Sequence, residues 1–170
     1  DSALYTGNAG VWAPMSADIE NGLVYLPVES ATGDQYGGDR HGDNLFANSL
    51  IALDFRTGKM KWYFQLIHHD IWDMDIPTAP ILADLPNGKK IVAQVTKQGF
   101  VYVFDRINGK PIWPINEIPV PQTDVDGEWT APTQPIPELP APFERQGVTR
   151  EDLIDYTPEI RRAVDDLLTK

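Results

Sequence analysis

Cysteine is absent from the 170-residue sequence, which excludes disulfide scaffolds, thiolate zinc sites and cysteine nucleophiles. No apolar run approaches the roughly 18 residues of a membrane-spanning helix. The first residues, from Asp1, also lack the basic and apolar regions of a signal peptide. Basic residues are scarce, with 14 Lys and Arg against 25 Asp and Glu, for a net charge of -11. Because this charge repels a phosphate backbone, we expect no nucleic-acid partner.

Apolar residues, glycine and proline are plentiful by contrast. Apolar residues make up 42% of a chain that has the length of one ordinary domain, which is enough for a sizeable core. The 13 Gly and 15 Pro, together with five Trp, indicate turn-rich β structure.

An internal repeat is the most informative feature of the sequence. Residues 54–62 and 105–113 share Asp, Gly, Lys and Trp at a single offset, 105 minus 54 or 51 residues. Each copy follows a β-like run and contains Thr-Gly or Asn-Gly, a dipeptide type that adopts positive φ in tight hairpin turns. Each copy is therefore predicted to form a strand, a turn and a second strand.

Further β-like runs at 23–28 and 90–96 bring each repeat to about four strands, which is typical of a β-propeller blade of roughly 40 to 50 residues. A propeller ring closes with about four to eight blades, and this chain has the length of about two. We therefore expect an all-β interior fragment of a longer propeller, with the other blades as its partners. A chance pair of hairpins in a β-sandwich is the alternative, and the single-offset match argues against it.

The character of the sequence changes after residue 114. Nine of the 15 prolines lie between Pro111 and Pro142, so regular strands are not expected there, because each proline removes a ladder donor. Apolar residues spread through 115–148 favour an ordered, extended excursion over a disordered tail. The predicted organisation is two propeller blades over 1–114, this proline-rich excursion over 115–148, and a helical segment over 149–170.

The helical segment carries its own start signals. Thr149 and Asp152 have capping-box spacing, and Thr157 before Pro158 predicts an N-cap followed by proline at the first helical position. Apolar residues then recur at helical spacing up to Leu168. The pattern predicts an amphipathic helix whose apolar side needs a partner surface.

The candidate site lies between the two repeats. Residues 68–75 contain two His and three Asp, and such crowding of like charge is relieved by a metal, a cation or a raised pKa. A solvated acidic loop is the alternative interpretation. Because adjacent side chains of an extended chain point to opposite faces, at most one of His68 and His69 is expected to face the site.

Motifs along nearly the whole chain point to one family. These motifs are residues 11–14, 23–27, 49–53, 68–77, 97–106 and 132–135. With the Trp-Asp-x-Asp element at 72–75 and the tryptophan repeats, the sequence resembles the pyrroloquinoline quinone (PQQ)-dependent dehydrogenases, particularly the branch of membrane-bound quinoprotein glucose dehydrogenases. The resemblance implies an eight-bladed quinoprotein β-propeller that carries PQQ near its axis, with a divalent ion beside it.

The resemblance also implies roles for individual residues. Asp73 matches the family's catalytic carboxylate, a general base that takes the proton of the substrate hydroxyl while hydride passes to the C5 carbonyl of the quinone. Lys97 matches the lysine that contacts the cofactor. Trp12 matches the tryptophan that forms the floor beneath the quinone ring. A surface lysine at a strand end and a core tryptophan are the structural alternatives for these last two residues.

The divalent ion is expected to be Ca²⁺ or Mg²⁺, because carboxylate oxygens suit these cations and the chain has no thiol for zinc. Asp73 and Asp75 are candidate ligands, and ligands upstream of this chain are the alternative. The alcohol dehydrogenase branch has an Asn near the position of Ser30, and serine there is a poor ligand. Asn44 is another polar candidate, although Asp-Asn before a strand more often forms a turn.

The resemblance implies a dehydrogenase in the periplasm that oxidises an aldose, a polyol or an alcohol and passes electrons to ubiquinone or a cytochrome. Any membrane anchor would lie outside this chain, and the chain alone is expected to be inactive. A noncatalytic propeller scaffold that binds other proteins is the main alternative. A carboxylate-bound metal hydrolase is a weaker one, since it would need further ligands, and His41 is distant in sequence and has no motif of its own. Trp12, Asp73 and Lys97 discriminate between these readings, because a scaffold needs no charged pair beside a ring-sized floor.

Overall fold

The computed structural model describes residues 7–168. Its strands are β1 (Ser16–Asp18), β2 (Leu23–Pro27), β3 (Ser49–Asp54), β4 (Met60–Gln65), β5 (Ile81–Asp84), β6 (Lys90–Val95), β7 (Val101–Asp105), β8 (Ile115–Pro119) and β9 (Thr133–Pro137). A 3-10 turn at Arg150–Asp152 and helix α1 (Pro158–Leu167) follow. The predicted class, β structure with a C-terminal helix, is confirmed.

The first sheet is an antiparallel meander in the order β1-β2-β3-β4. Side chains alternate in β2, where Leu23 and Tyr25 are buried and Val24 and Leu26 between them are half-buried. This period of two gives the sheet one well-packed face. A four-stranded sheet with neighbouring strands joined in sequence order is the blade unit that the first repeat predicts.

The second sheet has the order β5-β6-β7 among the described residues. Of the strand predicted after β7, only an isolated bridge between Phe104 and Pro111 forms, so this part of the prediction was wrong. Pro111 and Pro114 occupy the positions that Met60 and Tyr63 hold in the first repeat, inside β4. Because proline has no N–H to donate, the ladder ends after a single bridge.

The proline-rich stretch contains an antiparallel pair, β8 with β9, where the sequence predicted no regular strands. Both strands are edges, and Pro135 and Pro137 are two residues apart in β9. Alternate residues direct their N–H groups to the same side of a strand, so these prolines leave the donors of Gln134 and Ile136 for β8. Proline costs a ladder bond only where its nitrogen faces a partner strand.

Trp62 packs between the first two sheets. Its ring centroid lies 5.9 Å from those of Tyr25 and Phe104, and its indole N–H donates to the carbonyl of Arg106 at 3.1 Å. A Cβ added to Gly109 would lie 2.6 Å from the Trp62 ring. The tryptophan of the first repeat therefore packs directly on the glycine of the second.

Helix α1 begins as predicted, with Thr157 accepting from the amide of Ile160 and Pro158 in the first turn. The capping box of Thr149 and Asp152 is also present, at the preceding 3-10 turn. None of the α1 residues is buried. Within residues 7–168, no helix is long and apolar enough to cross a membrane.

The Trp62 contact predicts that Gly109→Ala destabilises the full-length protein more than Gly88→Ala. Both glycines have positive φ, +73° and +81°, so both alanines incur the left-handed cost of roughly 1–2 kcal/mol. Gly109→Ala also collides with Trp62 and should lose about 1–3 kcal/mol more, as overpacked cores do.

Thermal unfolding of the full-length variants measures this difference. Gly88 is the control because an added Cβ there meets no atom of the described residues within 4 Å. Equal midpoints for the two variants would contradict the docking of Trp62 on Gly109.

Candidate active site

The segment 66–77 carries the predicted site from the first sheet to the second. Leu66 and Ile67 at its start and Ile76 near its end are buried, and the amide of Leu66 donates to the carbonyl of Asn48 at 2.7 Å. These apolar anchors fix both ends of a polar loop. Its charged side chains are thereby held between two sheets.

A lysine and two aspartates converge in this loop. The ammonium of Lys97 donates to the backbone carbonyl of Asp73 at 2.8 Å and lies 3.3 Å from the carboxylates of Asp73 and Asp75. The exposed fractions of the side chains are 34% for Lys97, 44% for Asp73 and 18% for Asp75. The structure therefore brings together the residues 73, 75 and 97 that the sequence singled out, and leaves Asp73 accessible.

Lys97 reaches this position from the turn that joins β6 to β7. The amide of Thr96 donates to Phe100 and that of Gly99 to Thr96, both at 3.1 Å, and Gly99 takes a φ of +80°. Partial burial opposes protonation of Lys97, but the carboxylates of Asp75 and Asp73 together raise its pKa above the ordinary value. Lys97 is therefore positively charged at neutral pH, and its ion pairs with Asp73 and Asp75 hold it in position.

Asp70 lies beneath this cluster and is 1% exposed. Within the described chain its carboxylate accepts from the hydroxyl of Ser30, the side-chain amide of Asn48 and the backbone amides of Trp72 and Met74. An ionised carboxylate has about four acceptor positions. Asp70 is therefore a buried carboxylate with hydrogen-bond donors on both oxygens rather than a free reactive group.

Ser30 supports the acidic loop as a donor. Besides its hydroxyl bond to Asp70, its backbone amide donates to the carboxylate of Asp75 at 2.9 Å. Asn48, 1% exposed, donates to Ser30, to Asp70 and to the carbonyl of Met74, each at 3.0 Å. Sequence reasoning did not find Asn48, because an Asn before a strand carries no signal that separates it from an ordinary turn residue.

Asn44 forms the turn that its sequence context favours. It has a φ of 59°, and its side chain donates to the carbonyl of His41 at 3.2 Å. Its side-chain oxygen accepts from Arg40, a guanidinium that is 1% exposed. With both ends of the amide bonded inside its own loop, Asn44 serves local structure.

The two histidines separate, as expected for adjacent residues. His68 lies 2.8 Å from Gln65 and 3.1 Å from Glu117 of β8. His69 is buried against Trp129, with ring centroids 3.8 Å apart, and shares a hydrogen bond with the carbonyl of Gly42. Burial lowers the pKa of His69, so its ring is neutral at neutral pH and packs as an aromatic residue.

Trp12 is 57% exposed, so it is not a core tryptophan within the described structure. Its segment is joined to the loop indirectly. Gly10 donates to the side chain of Glu29 at 2.7 Å and accepts from the amide of Glu29 at 3.0 Å, and the next residue, Ser30, contacts Asp75. The segment that carries the exposed Trp12 is therefore linked, through Glu29 and Ser30, to the loop that carries Asp75.

A cleft of about 430 Å³ adjoins Lys97. Trp72, Met74 and Phe100 contribute to its walls, as do Glu144 and Gln146 of the proline-rich stretch. The volume is in the range of small-molecule sites, roughly 300–1,000 Å³. Charged and apolar groups therefore line one space large enough for a ligand.

The structure gives less support to the predicted divalent-ion site than to the charged cluster. Among residues 7–168, no group of three or more His, Asp or Glu is arranged to hold an ion. Asp73 and Asp75 provide two carboxylates, whereas Ca²⁺ takes about six to eight oxygen ligands. This chain could supply only part of such a coordination shell.

Comparison with known proteins agrees with this geometry. The chain is 42% identical over 144 residues to quinoprotein glucose dehydrogenase of Escherichia coli (strain K12), covering 82% of this chain and 18% of that protein. It is 44% identical over 138 residues to quinoprotein glucose dehydrogenase A of Acinetobacter calcoaceticus, covering 75% and 17%. The chain thus spans less than a fifth of the length of these curated relatives.

Solved structures show the same relationship in three dimensions. The quinohemoprotein alcohol dehydrogenase of Comamonas testosteroni superimposes with a TM-score of 0.57 at 31% identity, over 77% of this chain and 20% of that one. The family model of the glucose/ethanol/alcohol dehydrogenase β-propeller domain, designated PQQ, matches residues 1–170. The chain therefore belongs to the PQQ-dependent dehydrogenase family, as part of its β-propeller.

Proposed function

We propose that the full-length protein containing this chain is a PQQ-dependent dehydrogenase that oxidises an aldose, a polyol or an alcohol. The observation that carries the proposal is the convergence of the Lys97 ammonium on the carboxylates of Asp73 and Asp75, each 3.3 Å away. Alcohol oxidation needs a base for the hydroxyl proton and stabilisation of negative charge on the hydride acceptor, and a carboxylate and an ammonium beside a cleft are groups that can supply them.

Asp73 acts in this proposal as the general base. Its carboxylate is 44% exposed, so it can reach a substrate hydroxyl, while Lys97 fixes one of its oxygens. The hydroxyl proton passes to Asp73, the carbinol carbon loses a hydride, and the alcohol becomes a carbonyl. The chemistry that bound PQQ supplies is acceptance of that hydride at its C5 carbonyl.

Lys97 and Trp12 have the properties that a flat, oxygen-rich quinone needs from its site. The ammonium of Lys97, 34% exposed, can donate to quinone oxygens and stabilise negative charge on them. The indole of Trp12, 57% exposed, offers a planar apolar surface that does not compete for polar groups. We propose these two residues as the cofactor-binding residues of this chain.

Asp73 and Asp75 are also proposed as ligands to the divalent ion, Ca²⁺ or Mg²⁺. Their oxygens are the donor type that such cations prefer, and Ser30 already orients Asp75 through its amide, at 2.9 Å. The remaining ligands would come from parts of the protein outside this chain.

The proposed electron acceptor is ubiquinone or a cytochrome, and the proposed location is the periplasm. Membership in the PQQ-dependent family supports the electron acceptor, since two-electron oxidation of the substrate leaves a reduced cofactor that must be reoxidised. The resemblance to the branch of membrane-bound quinoprotein glucose dehydrogenases supports the location.

Asp73→Asn is expected to abolish turnover while leaving PQQ bound. The amide keeps the shape and one acceptor of the carboxylate but cannot take a proton, and a general base typically contributes about 10² to 10⁴-fold. We therefore expect kcat, assayed with an artificial electron acceptor and glucose, glycerol or ethanol, to fall by about a hundredfold or more.

Glu20→Gln is the control for this variant. Glu20 also pairs with a lysine, Lys90 at 3.3 Å, but is 81% exposed, and its variant should keep the parental kcat. Near-parental turnover in Asp73→Asn would show that Asp73 is not the base.

Trp12→Ala and Lys97→Ala are expected to affect the cofactor differently. Loss of the stacking surface should weaken PQQ affinity by about 1–3 kcal/mol, or about 5- to 150-fold in Kd. Loss of the ammonium should instead lower kcat at saturating PQQ by about a hundredfold, as removal of a donor to a developing oxyanion does.

Activity measured against PQQ concentration in the reconstituted apo-protein separates the two effects. Lys61→Ala is the control, because Lys61 is 49% exposed and pairs with Asp54 at 3.4 Å. If both test variants bind PQQ and turn over like the parent, a noncatalytic scaffold is the better account of the family resemblance.

A further inference from the structure

We infer that Asp70 is a positioning residue for Asp73, held in turn by Asn48. The inference rests on the proposed function, because its consequence is a change in turnover. It concerns a carboxylate that lies beneath the reactive cluster and is 1% exposed.

The hydrogen bonds of Asp70 bracket Asp73 along the chain. One oxygen of Asp70 accepts from the amide of Trp72 at 2.8 Å, and the other accepts from the amide of Met74 at 2.7 Å. These are the residues immediately before and after Asp73. The backbone on both sides of the proposed base is therefore bonded to one buried carboxyl group.

Asn48 fixes the same loop from the first sheet. Its side-chain amide donates to the carboxylate of Asp70 and to the carbonyl of Met74, both at 3.0 Å. It is itself 1% exposed, and it immediately precedes β3. Asn48 therefore connects both Asp70 and the peptide after Met74 to the start of β3.

Asp73 needs such support because its backbone is unusual. It has a φ of 54°, in the left-handed region that residues other than glycine seldom adopt. A loop released from Asp70 would relax toward common backbone angles and carry the Asp73 carboxylate with it. Misplacement of a reacting group by about 1 Å can cost about a hundredfold in rate.

Only a carboxylate satisfies every group that surrounds Asp70. The hydroxyl of Ser30, the amide of Asn48 and both loop amides are arranged as donors toward it. In Asp70→Asn, one acceptor oxygen becomes a donor NH₂ group, which faces at least one of these donors. The substitution is nearly isosteric, and it removes the acceptor for at least one of the two amides that flank Asp73.

The test uses the full-length holoenzyme and Asp70→Asn, with Asp18→Asn as the matched control. Asp18 is likewise buried, 5% exposed, and accepts from Arg106 at 2.6 Å and from the amide and side chain of Asn21. It lies at the end of β1, and these partners lie outside residues 66–77. PQQ content, kcat, KM and thermal midpoint are measured for both variants, with glucose, glycerol or ethanol as substrate.

For Asp70→Asn we expect PQQ content near that of the parent and kcat lowered by about ten- to a hundredfold. The deuterium isotope effect on kcat, measured with substrate labelled at the carbinol carbon, should rise because the chemical step becomes slower. Asp18→Asn should lower the thermal midpoint yet keep the parental kcat and isotope effect.

Asn48→Gly keeps the test decisive if Asp70→Asn does not fold. Glycine accepts the φ of 48° at this position, while both side-chain donors are lost, so kcat should fall and the isotope effect should rise in the same way. A kcat that falls only in proportion to the folded, PQQ-bearing fraction, with an unchanged isotope effect, overturns the inference.

The two proposals fail in different ways. If the parent protein shows no PQQ-dependent turnover, or if Asp73→Asn is fully active, the proposed function fails and the inference falls with it. If Asp73→Asn is inactive while Asp70→Asn and Asn48→Gly keep parental kinetics, the positioning role alone is wrong.

Discussion

Trp62 lies between the first two sheets, where its ring covers Gly109 and its N–H bonds to the carbonyl of Arg106. This contact helps to hold the two sheets together, as does the hydroxyl of Tyr25, which donates to the same carbonyl at 2.8 Å. The acidic loop leaves the end of β4 in the first sheet, whereas Lys97 comes from the turn after β6 in the second. The 3.3 Å contacts of Lys97 with Asp73 and Asp75 therefore depend on the way the two sheets pack together.

Three aspartates within six residues have different environments and different uses. Asp70 is 1% exposed and bonded by four described donors, whereas the side chain of Asp73 is 44% exposed. Hydrogen bonds to charged groups contribute about 1.5–3 kcal/mol each. Two such bonds contribute about 3–6 kcal/mol together, which exceeds the cost of roughly 1–2 kcal/mol for a left-handed residue, so the two amide bonds to Asp70 are enough to hold Asp73 in its unusual conformation. The buried carboxyl group of Asp70 thus holds the backbone that presents the accessible side chain of Asp73.

The sequence predicted the blade through the repeat, because turn glycines and the tryptophans leave local signals. It missed the β8–β9 pair, since the effect of Pro135 and Pro137 depends on which side of a strand their nitrogens face. Asp73, Asp75 and Lys97 were found through crowded charge and family resemblance. The supporting contacts of Ser30 with Asp70, 40 residues apart, were not, because contacts between residues so far apart in sequence follow from the fold.

The central claim is that Lys97 belongs to the PQQ site. Labelling of lysines in the full-length apo-protein with an amine-acylating reagent, followed by peptide mass spectrometry with and without saturating PQQ, tests it directly. Lys61, with 49% of its side chain exposed against 34% for Lys97, is the internal reference. The account predicts that PQQ protects Lys97 and leaves the labelling of Lys61 unchanged. Equal labelling of Lys97 with and without bound PQQ would contradict it.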